Sequence, residues 1–232
     1  MLAEIDDGVW LADGPVVSFY GFPYPTRMAV VRLGEGLWVW SPVELTPGLA
    51  AEVAALGDVR WLVEPNKIHH LFLGPWLERF EGSVALAPPG LAPRRPDLTF
   101  AGELEDGVPG PWGPDIEHVV FGGSLVMDEV VFFHRPSSTC FVGDLIQRHD
   151  EQAMAGWRRE LMRLDDLAGP GGSTPREWRA TFVDRDQVRG ALDRALAWEP
   201  QRLIIAHGAC AEEGGAQVLH DNLAWIRRSW PV

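Results

Sequence analysis

The stretch that decides the fold is Trp61–Trp76, which reads WLVEPNKIHHLFLGPW. It opens with three apolar residues and soon reaches Pro65. A proline disfavours the helical region for the residue before it and lacks the N–H that a strand ladder needs. A strand should therefore end near Glu64, with His69 and His70 on the loop that leaves it or on the next helix's first turn. Strand exits are where α/β proteins place their chemistry. A single histidine there is more often an ordinary hydrogen-bonded or exposed residue.

Two later apolar runs end on residues of the same kind. Thr139–Val142 leads into Asp144 and Arg202–Ala206 leads into His207, and each of these side chains adjoins a glycine. Glycine lets a backbone approach a ligand closely. With the histidine pair they make three imidazoles and one carboxylate, a donor set that suits zinc well and iron or manganese less closely. Each also has a structural alternative, because Asp144 could cap the following helix and His207 could bond a neighbouring carbonyl.

Composition excludes several classes of protein. The 232 residues carry a formal charge of −13, which disfavours nucleic acid as a partner. No run of 18 apolar residues predicts a membrane span, and the acidic N-terminus does not resemble a signal peptide. Cys140 and Cys210 lie in or beside apolar runs and are interpreted as reduced thiols, which suits a reducing compartment. These features predict a soluble, cytoplasmic protein that binds neither nucleic acid nor membrane.

Local signals predict strands and helices in alternation. The expected strands are Val9–Leu11, Met28–Leu33, Leu37–Trp40, Val59–Val63, Val84–Leu86, Glu117–Phe121, Glu129–His134, Thr139–Val142 and Arg202–Ala206. The expected helices are 47–56 after a Thr46 cap, 71–80, 151–167, 184–198 and 215–229. Pro88–Pro114, rich in proline and glycine, is expected to be mostly irregular, either a functional flap or disordered. Two β-rich stretches, each followed by helices, predict two sheets between helical layers in a single domain, residues 1–232.

The order of these motifs resembles the metallo-β-lactamase fold superfamily. The likeness is carried by the strand exit with the histidine pair, then FVGDL, then IIAHG. The segments PYPTRMAVVRLGEGLWVWSP, EPNKIHHLF and EVVFFHRPSSTCFVGDL are similar to an uncharacterised bacterial branch known only as a domain of unknown function. The resemblance implies an α/β fold, the four-layer αββα sandwich, with a dinuclear metal site between its sheets.

The superfamily's signature loop, His-x-His-x-Asp-His, is degraded in this chain. When its Asp-His is laid on the histidine pair, the two earlier histidines fall on Pro65 and Lys67. A shifted register places Asn66 or Ile68 there instead. The histidine of the third motif is replaced by the Gly-Gly-Ser at 122–124, and the aspartate that usually ends an early strand is replaced near Ser41. Under this register, every ligand of the first metal is missing.

The positions of the second metal still hold ligand types. His69 stands where an aspartate usually does, Asp144 matches the bridging aspartate, and His207 matches the last histidine. The resemblance therefore implies one divalent ion, with zinc before iron or manganese, held by His69, His70, Asp144 and His207. Lys67 would then occupy the region of the missing ion and pair with Asp144, unless it simply points into solvent.

Four residues are candidates for the surroundings of the site: Asn66, Lys67, His134 and Trp76. His134 could face the site from its hairpin, although a hairpin-end histidine is more often on the surface. Trp76, like the aromatic Tyr20, could line a pocket mouth. With eleven tryptophans in the chain, core packing is the default for most of them.

Three functions remain open at this stage. The first is a mononuclear metal-dependent hydrolase of a small molecule, with Asp144 acting beside an activated water. The second is a non-catalytic metal-binding or sensing protein, and the third is a metal-free scaffold of the same fold. Three protein ligands plus a water favour catalysis, whereas a closed set of four favours a structural metal.

Overall fold

The computed structural model describes residues 1–19, 21–153, 155–168 and 171–228, so Tyr20 lies outside it. The chain divides into two compact units, Met1–Glu117 and His118–Val232. Each unit is built on its own sheet, and each is described by itself. A single domain spanning the whole chain remains a prediction.

The first unit holds nine strands and two α-helices in its described residues. The strands are β1 Ala3–Asp6, β2 Val9–Asp13, β3 Val17–Phe19, β4 Phe22–Tyr24, β5 Arg27–Leu33, β6 Gly36–Trp40, β7 Val59–Val63, β8 Val84–Ala87 and β9 Phe100–Glu103. The helices are α1 Pro47–Leu56 and α2 Leu73–Arg79, and a 3-10 helix covers Ala92–Arg94. Seven strands form one sheet in the order β1-β2-β5-β6-β7-β8-β9, while β3 and β4 pair as a separate hairpin.

The core of this unit lies where α1 and α2 cover apolar side chains of the sheet. As predicted, α1 begins after Thr46, whose hydroxyl accepts the Leu49 N–H at 3.2 Å, with Pro47 in the first turn. Strand β7 ends at Val63, as the following Pro65 required. The strands β6, β7, β8 and β9 run parallel, so the loop after β7 leaves the carboxyl edge of the parallel part of this mixed sheet.

The second unit holds a four-stranded sheet in the order β10-β11-β12-β13. Its strands are β10 Ile116–Phe121, β11 Glu129–His134, β12 Thr139–Val142 and β13 Arg202–Ile205. Its helices are α3 Trp157–Leu164, α4 Arg176–Arg179, α5 Arg185–Leu196 and α6 Gly215–Asn222, and 3-10 helices cover Glu151–Ala153 and Ala224–Ile226. Helix α5 begins after Asp184, whose carboxylate accepts the Gln187 N–H at 3.0 Å.

One pairing in this sheet positions the candidate site. Strands β12 and β13 run parallel, with Val142 opposite Ile205 at their carboxyl ends. Strand β11 runs antiparallel to β12, so the first residue of β11, Glu129, lies near the end of β12. The residues that follow β12 and β13 therefore meet at one edge of the sheet, next to the start of β11.

Two local predictions were wrong. The expected helix 151–167 is split by Gly156 at φ +63° into a 3-10 helix and α3. The expected helix 215–229 stops at Asn222, and its predicted end at Ser229 lies outside the described residues. Pro88–Pro114 is mostly irregular, as predicted, although β9 within it pairs with β8.

None of the helices in the described ranges combines the length and apolar character that a membrane crossing requires.

Candidate metal centre

Asp144 and His207 meet at the edge of the second unit's sheet. The distance from Asp144 Oδ1 to His207 Nε2 is 3.2 Å, and the two residues are 6% and 5% exposed. Two ligands of a tetrahedral zinc ion lie about 3.3 Å apart when the metal–ligand bonds are about 2.0–2.1 Å. The pair thus has the spacing of neighbouring ligands, and imidazole with carboxylate is a donor combination that zinc accepts.

A buried network fixes the orientation of the Asp144 side chain. Its Oδ1 accepts a hydrogen bond from Gln147 Nε2 at 3.1 Å, so the amide oxygen of Gln147 faces His149 Nε2 at 3.0 Å. His149 must then donate from Nε2. Burial, reinforced by the nearby His207 and opposed by Asp144, lowers the pKa of His149 to about 4. A neutral His149 protonated on Nε2 is therefore the form that fits this network.

The turn that carries Asp144 is bound to a buried carboxylate. Glu129 is fully buried, and its two carboxylate oxygens accept the N–H groups of Gly143, Asp144 and Leu145 at distances from 2.7 to 3.1 Å. Sequence reasoning missed this contact. The available signal was a charged residue at the head of an otherwise apolar strand, EVVFFH.

In the first unit, His69 on the loop after β7 contacts Ser41 and Asn66. His69 Nδ1 lies 3.1 Å from the Ser41 hydroxyl, and its backbone N–H donates to Asn66 O at 3.2 Å. Asn66 is fully buried, and its side chain accepts the Ile68 N–H at 3.0 Å. Ser41 is 5% exposed and has φ +51°, a left-handed conformation that costs a non-glycine residue energy. With Nδ1 engaged by Ser41, Nε2 is the nitrogen through which His69 could bind a metal.

His70 has a different partner, the guanidinium of Arg95. Arg95 Nη1 donates to the backbone carbonyl of His70 at 2.8 Å and lies 3.4 Å from His70 Nδ1. Because a guanidinium only donates, Nδ1 must present its lone pair, and the neutral ring then carries its proton on Nε2. Burial, followed by the charge of Arg95, lowers the pKa of His70. Metal binding through Nε2 would force a proton onto Nδ1, against Arg95, so His70 is poorly prepared to be a ligand.

The remaining candidates have local roles. Trp76 is fully buried in the core of the first unit and donates from Nε1 to Val43 O at 2.7 Å, so it packs the core and does not line a pocket mouth. His134 is 4% exposed and bonds the Ser137 hydroxyl at 2.8 Å, so the surface alternative for it was wrong. The stem of Lys67 packs beside Gly90. Pairing of Lys67 with Asp144 remains a prediction.

Three of the described residues could each supply a ligand: His69 in the first unit, and Asp144 and His207 in the second. Imidazole and carboxylate are donors that catalytic zinc sites use, and such sites complete their coordination with a water or substrate. The donor types present therefore fit a divalent ion.

The profile of a family described as "Domain of unknown function (DUF4336)" matches residues 7–160. No curated protein shows significant similarity to the chain. Among solved structures, a metallo-beta-lactamase from Pontibacter korlensis is 17% identical with a TM-score of 0.64, each chain being covered over 99% of its length. One from Hirschia baltica has the same identity and TM-score, covering 100% of this chain and 99% of that one.

A third similar structure is the metallo-beta-lactamase FIM-1 from Pseudomonas aeruginosa in its mono-zinc form. It is 16% identical with a TM-score of 0.62, and the match covers 95% of this chain and 94% of that one. Likeness at this level of identity establishes the fold. The predicted fold class, a mixed α/β fold of the metallo-β-lactamase type, is therefore confirmed.

Proposed function

The chain belongs to the DUF4336 family, and we propose that it is a mononuclear metal-dependent hydrolase that acts on a small molecule. The observation that carries this proposal is the buried Asp144–His207 pair, whose ligand atoms lie 3.2 Å apart. A buried acid and imidazole at the carboxyl edge of parallel strands is the arrangement expected where an α/β protein does its chemistry. The mono-zinc form of FIM-1 makes a single ion compatible with this fold.

We propose that the ion, zinc before iron or manganese, is held by His69 Nε2, Asp144 and His207. His70 would not join these ligands, since Arg95 occupies the side of the ring that would need to carry a proton. This reduces the four ligands expected from the sequence to three. Three protein ligands leave a coordination position open, which favours a catalytic site.

When bound, the ion would supply Lewis acidity and activate water at neutral pH. The protein's own groups would provide orientation and proton transfer. Gln147 and His149 hold the Asp144 carboxylate in one orientation, and Ser41 holds His69 with Nδ1 turned away from the ion. Asp144 is the residue we propose to accept the proton of the reacting water.

Elemental analysis of untagged protein, grown with zinc, iron and manganese supplied, tests the metal content. We expect close to one equivalent of metal per chain, and Asp144→Asn or His207→Ala should reduce it strongly. His134→Ala is a matched control, because His134 is similarly buried in the second unit and bonds the Ser137 hydroxyl in its own hairpin. Two equivalents, none, or equal loss in the His134 variant would contradict the proposal.

A non-catalytic metal-binding protein is the second candidate. It is favoured by the low exposure of Asp144 and His207, which would limit access by a substrate. Cobalt in place of the native ion separates the two functions, because an open coordination position lets azide bind and change the visible spectrum. Saturable azide binding supports the hydrolase, and a spectrum unchanged by azide supports a closed, structural metal.

A further inference from the structure

We propose that Glu129 is a positioning residue, which fixes the turn after β12 and thereby orients Asp144. Glu129 is fully buried at the first position of β11, 15 residues before Asp144 in the chain. The effect on metal binding rests on the proposed function. The effect on the turn does not.

The contact has the geometry of an anion-binding nest. Three successive backbone N–H groups, from Gly143, Asp144 and Leu145, point at the same carboxylate. The distances are 2.9 Å to Gly143, 2.7 Å to Asp144, and 3.1 Å from Leu145 to each oxygen. Consecutive amides arranged in this way form a concavity that attracts an anion. In this protein, the chain supplies the anion itself.

The contact requires a carboxylate of this length. Hydrogen bonds to an ionised acceptor are shorter and stronger than neutral ones, which offsets the desolvation of a buried charge. Glutamine would turn an NH₂ group towards one of the amides, placing donor against donor. Aspartate is one methylene shorter and would not span the same distance from the strand to the turn.

The hydrogen bonds to Glu129 fix the main chain on both sides of the Asp144 side chain. With the amides of residues 143–145 fixed, the Cα–Cβ bond of Asp144 has one direction, which leads its Oδ1 to Gln147 and His207. Without these hydrogen bonds, the Asp144 side chain would sample other directions, and the binding of a metal ion would have to order the turn each time. Supporting contacts of this kind typically change metal affinity by about 10–100-fold.

The test compares Glu129→Gln with wild type by two measurements below the melting temperature of both proteins. Equilibrium titration with zinc should show affinity reduced by about 10–100-fold in the variant. Hydrogen exchange should be accelerated at the amides of residues 143–145, with little change in β13. Glu129→Asp should restore part of both properties, because it restores the charge without the full reach.

Val131→Ala is the matched control. Val131 is fully buried on the same strand, and its truncation lowers stability without removing an acceptor from the turn. The inference is overturned if Glu129→Gln folds with wild-type zinc affinity and wild-type exchange at residues 143–145. Equal loss of affinity in Val131→Ala also overturns it. If wild type binds no metal, the proposed function fails, while the exchange rates still decide whether Glu129 holds the turn.

Discussion

Each of two strand exits has a buried glutamate, and the two side chains differ in their hydrogen-bond partners. Glu64 follows β7 and is 2% exposed, and its Oε1 accepts no hydrogen bond from the described part of the chain. Burial, opposed by the charge of Arg95, raises the pKa of Glu64 well above its usual value. Glu129, near the end of β12, meets three amides. Burial therefore favours the protonated form of Glu64, whereas three N–H donors bind the Glu129 side chain.

The same difference applies to the predicted ligands at the two exits. Asp144 lies on a turn that is bound to a buried anion, and its side chain lies in a network that reaches His149 through Gln147. His69 lies on a loop where the Ser41 hydroxyl contacts its ring nitrogen Nδ1. We conclude that the exit of β12 is organised before a metal arrives. The loop after β7 should gain more order on metal binding than the turn after β12 does.

The largest expected effect comes from removing one ligand at each exit. We expect His207→Ala to weaken zinc binding by more than about 100-fold, beyond the range typical of supporting residues. His69→Ala should cost less, because the ordered Asp144–His207 pair remains. Competitive titration with a chelating dye measures both affinities. A greater loss of zinc affinity in the His69 variant would contradict the proposal that the turn after β12 contributes more to zinc binding than the loop after β7.

The two glutamates should give opposite stability changes when each becomes glutamine. Glu129→Gln should lose about 2–3 kcal/mol at neutral pH, since it removes an ionised hydrogen-bond acceptor from a buried site. Glu64→Gln should be more stable than wild type at neutral pH. Because the pKa of Glu64 is raised in the folded state, the contribution of Glu64 to stability is fully present below about pH 4.3. It is lost as the pH rises to the folded-state pKa of Glu64.

The advantage of Glu64→Gln should therefore be present at pH 8 and absent at pH 4. Urea unfolding of the apo proteins at both values measures it. A constant difference between Glu64→Gln and wild type would show that Glu64 does not titrate in this range.

Arg95 should stabilise the loop after β7 and have no effect on the stability of the turn after β12. Arg95→Met removes the hydrogen bond to the His70 carbonyl, and should cost about 1 kcal/mol with faster amide exchange in residues 66–73. Exchange in residues 143–149 should not change. Asp97→Asn is the control, since it weakens the solvent-screened Arg95–Asp97 pair and leaves the carbonyl contact in place. Equal effects of the two variants would assign the stabilisation to the ion pair.

The smallest expected effect is at Ser41. Ser41→Ala removes the hydroxyl beside His69 Nδ1 and should weaken zinc binding by about tenfold, the lower end for a supporting residue. Ser41→Gly removes the same hydroxyl but suits the positive φ of this position, so it should melt at a higher temperature than the alanine variant. Wild-type zinc affinity in both variants would show that the hydroxyl does not orient His69.

Features set by neighbouring residues were predicted well from the sequence. The strands Val59–Val63, Glu129–His134 and Thr139–Val142 have the expected bounds, because apolar runs between proline and glycine leave little choice. The caps at Thr46 and Asp184 also follow from local side-chain chemistry. The convergence of Asp144 and His207 needed one further idea, that parallel strands end at the same edge of a sheet.

Features set by distant pairing were missed. Glu129 contacts a turn 14–16 residues later only because β11 and β12 pair antiparallel, and nothing beside it in the sequence indicates that partner. Arg95 lies in the proline-rich stretch that was expected to be irregular, 25 residues from His70. No role was predicted for His149 from the sequence, but it completes the network around Asp144.

X-ray absorption at the zinc edge of zinc-loaded protein tests the ligand set most directly. We expect one zinc per chain with two imidazoles, one carboxylate and one further light-atom ligand, and we expect His70→Ala to leave the spectrum unchanged. A third imidazole that disappears in His70→Ala, or a chain that binds no zinc, would contradict the proposed three-residue site.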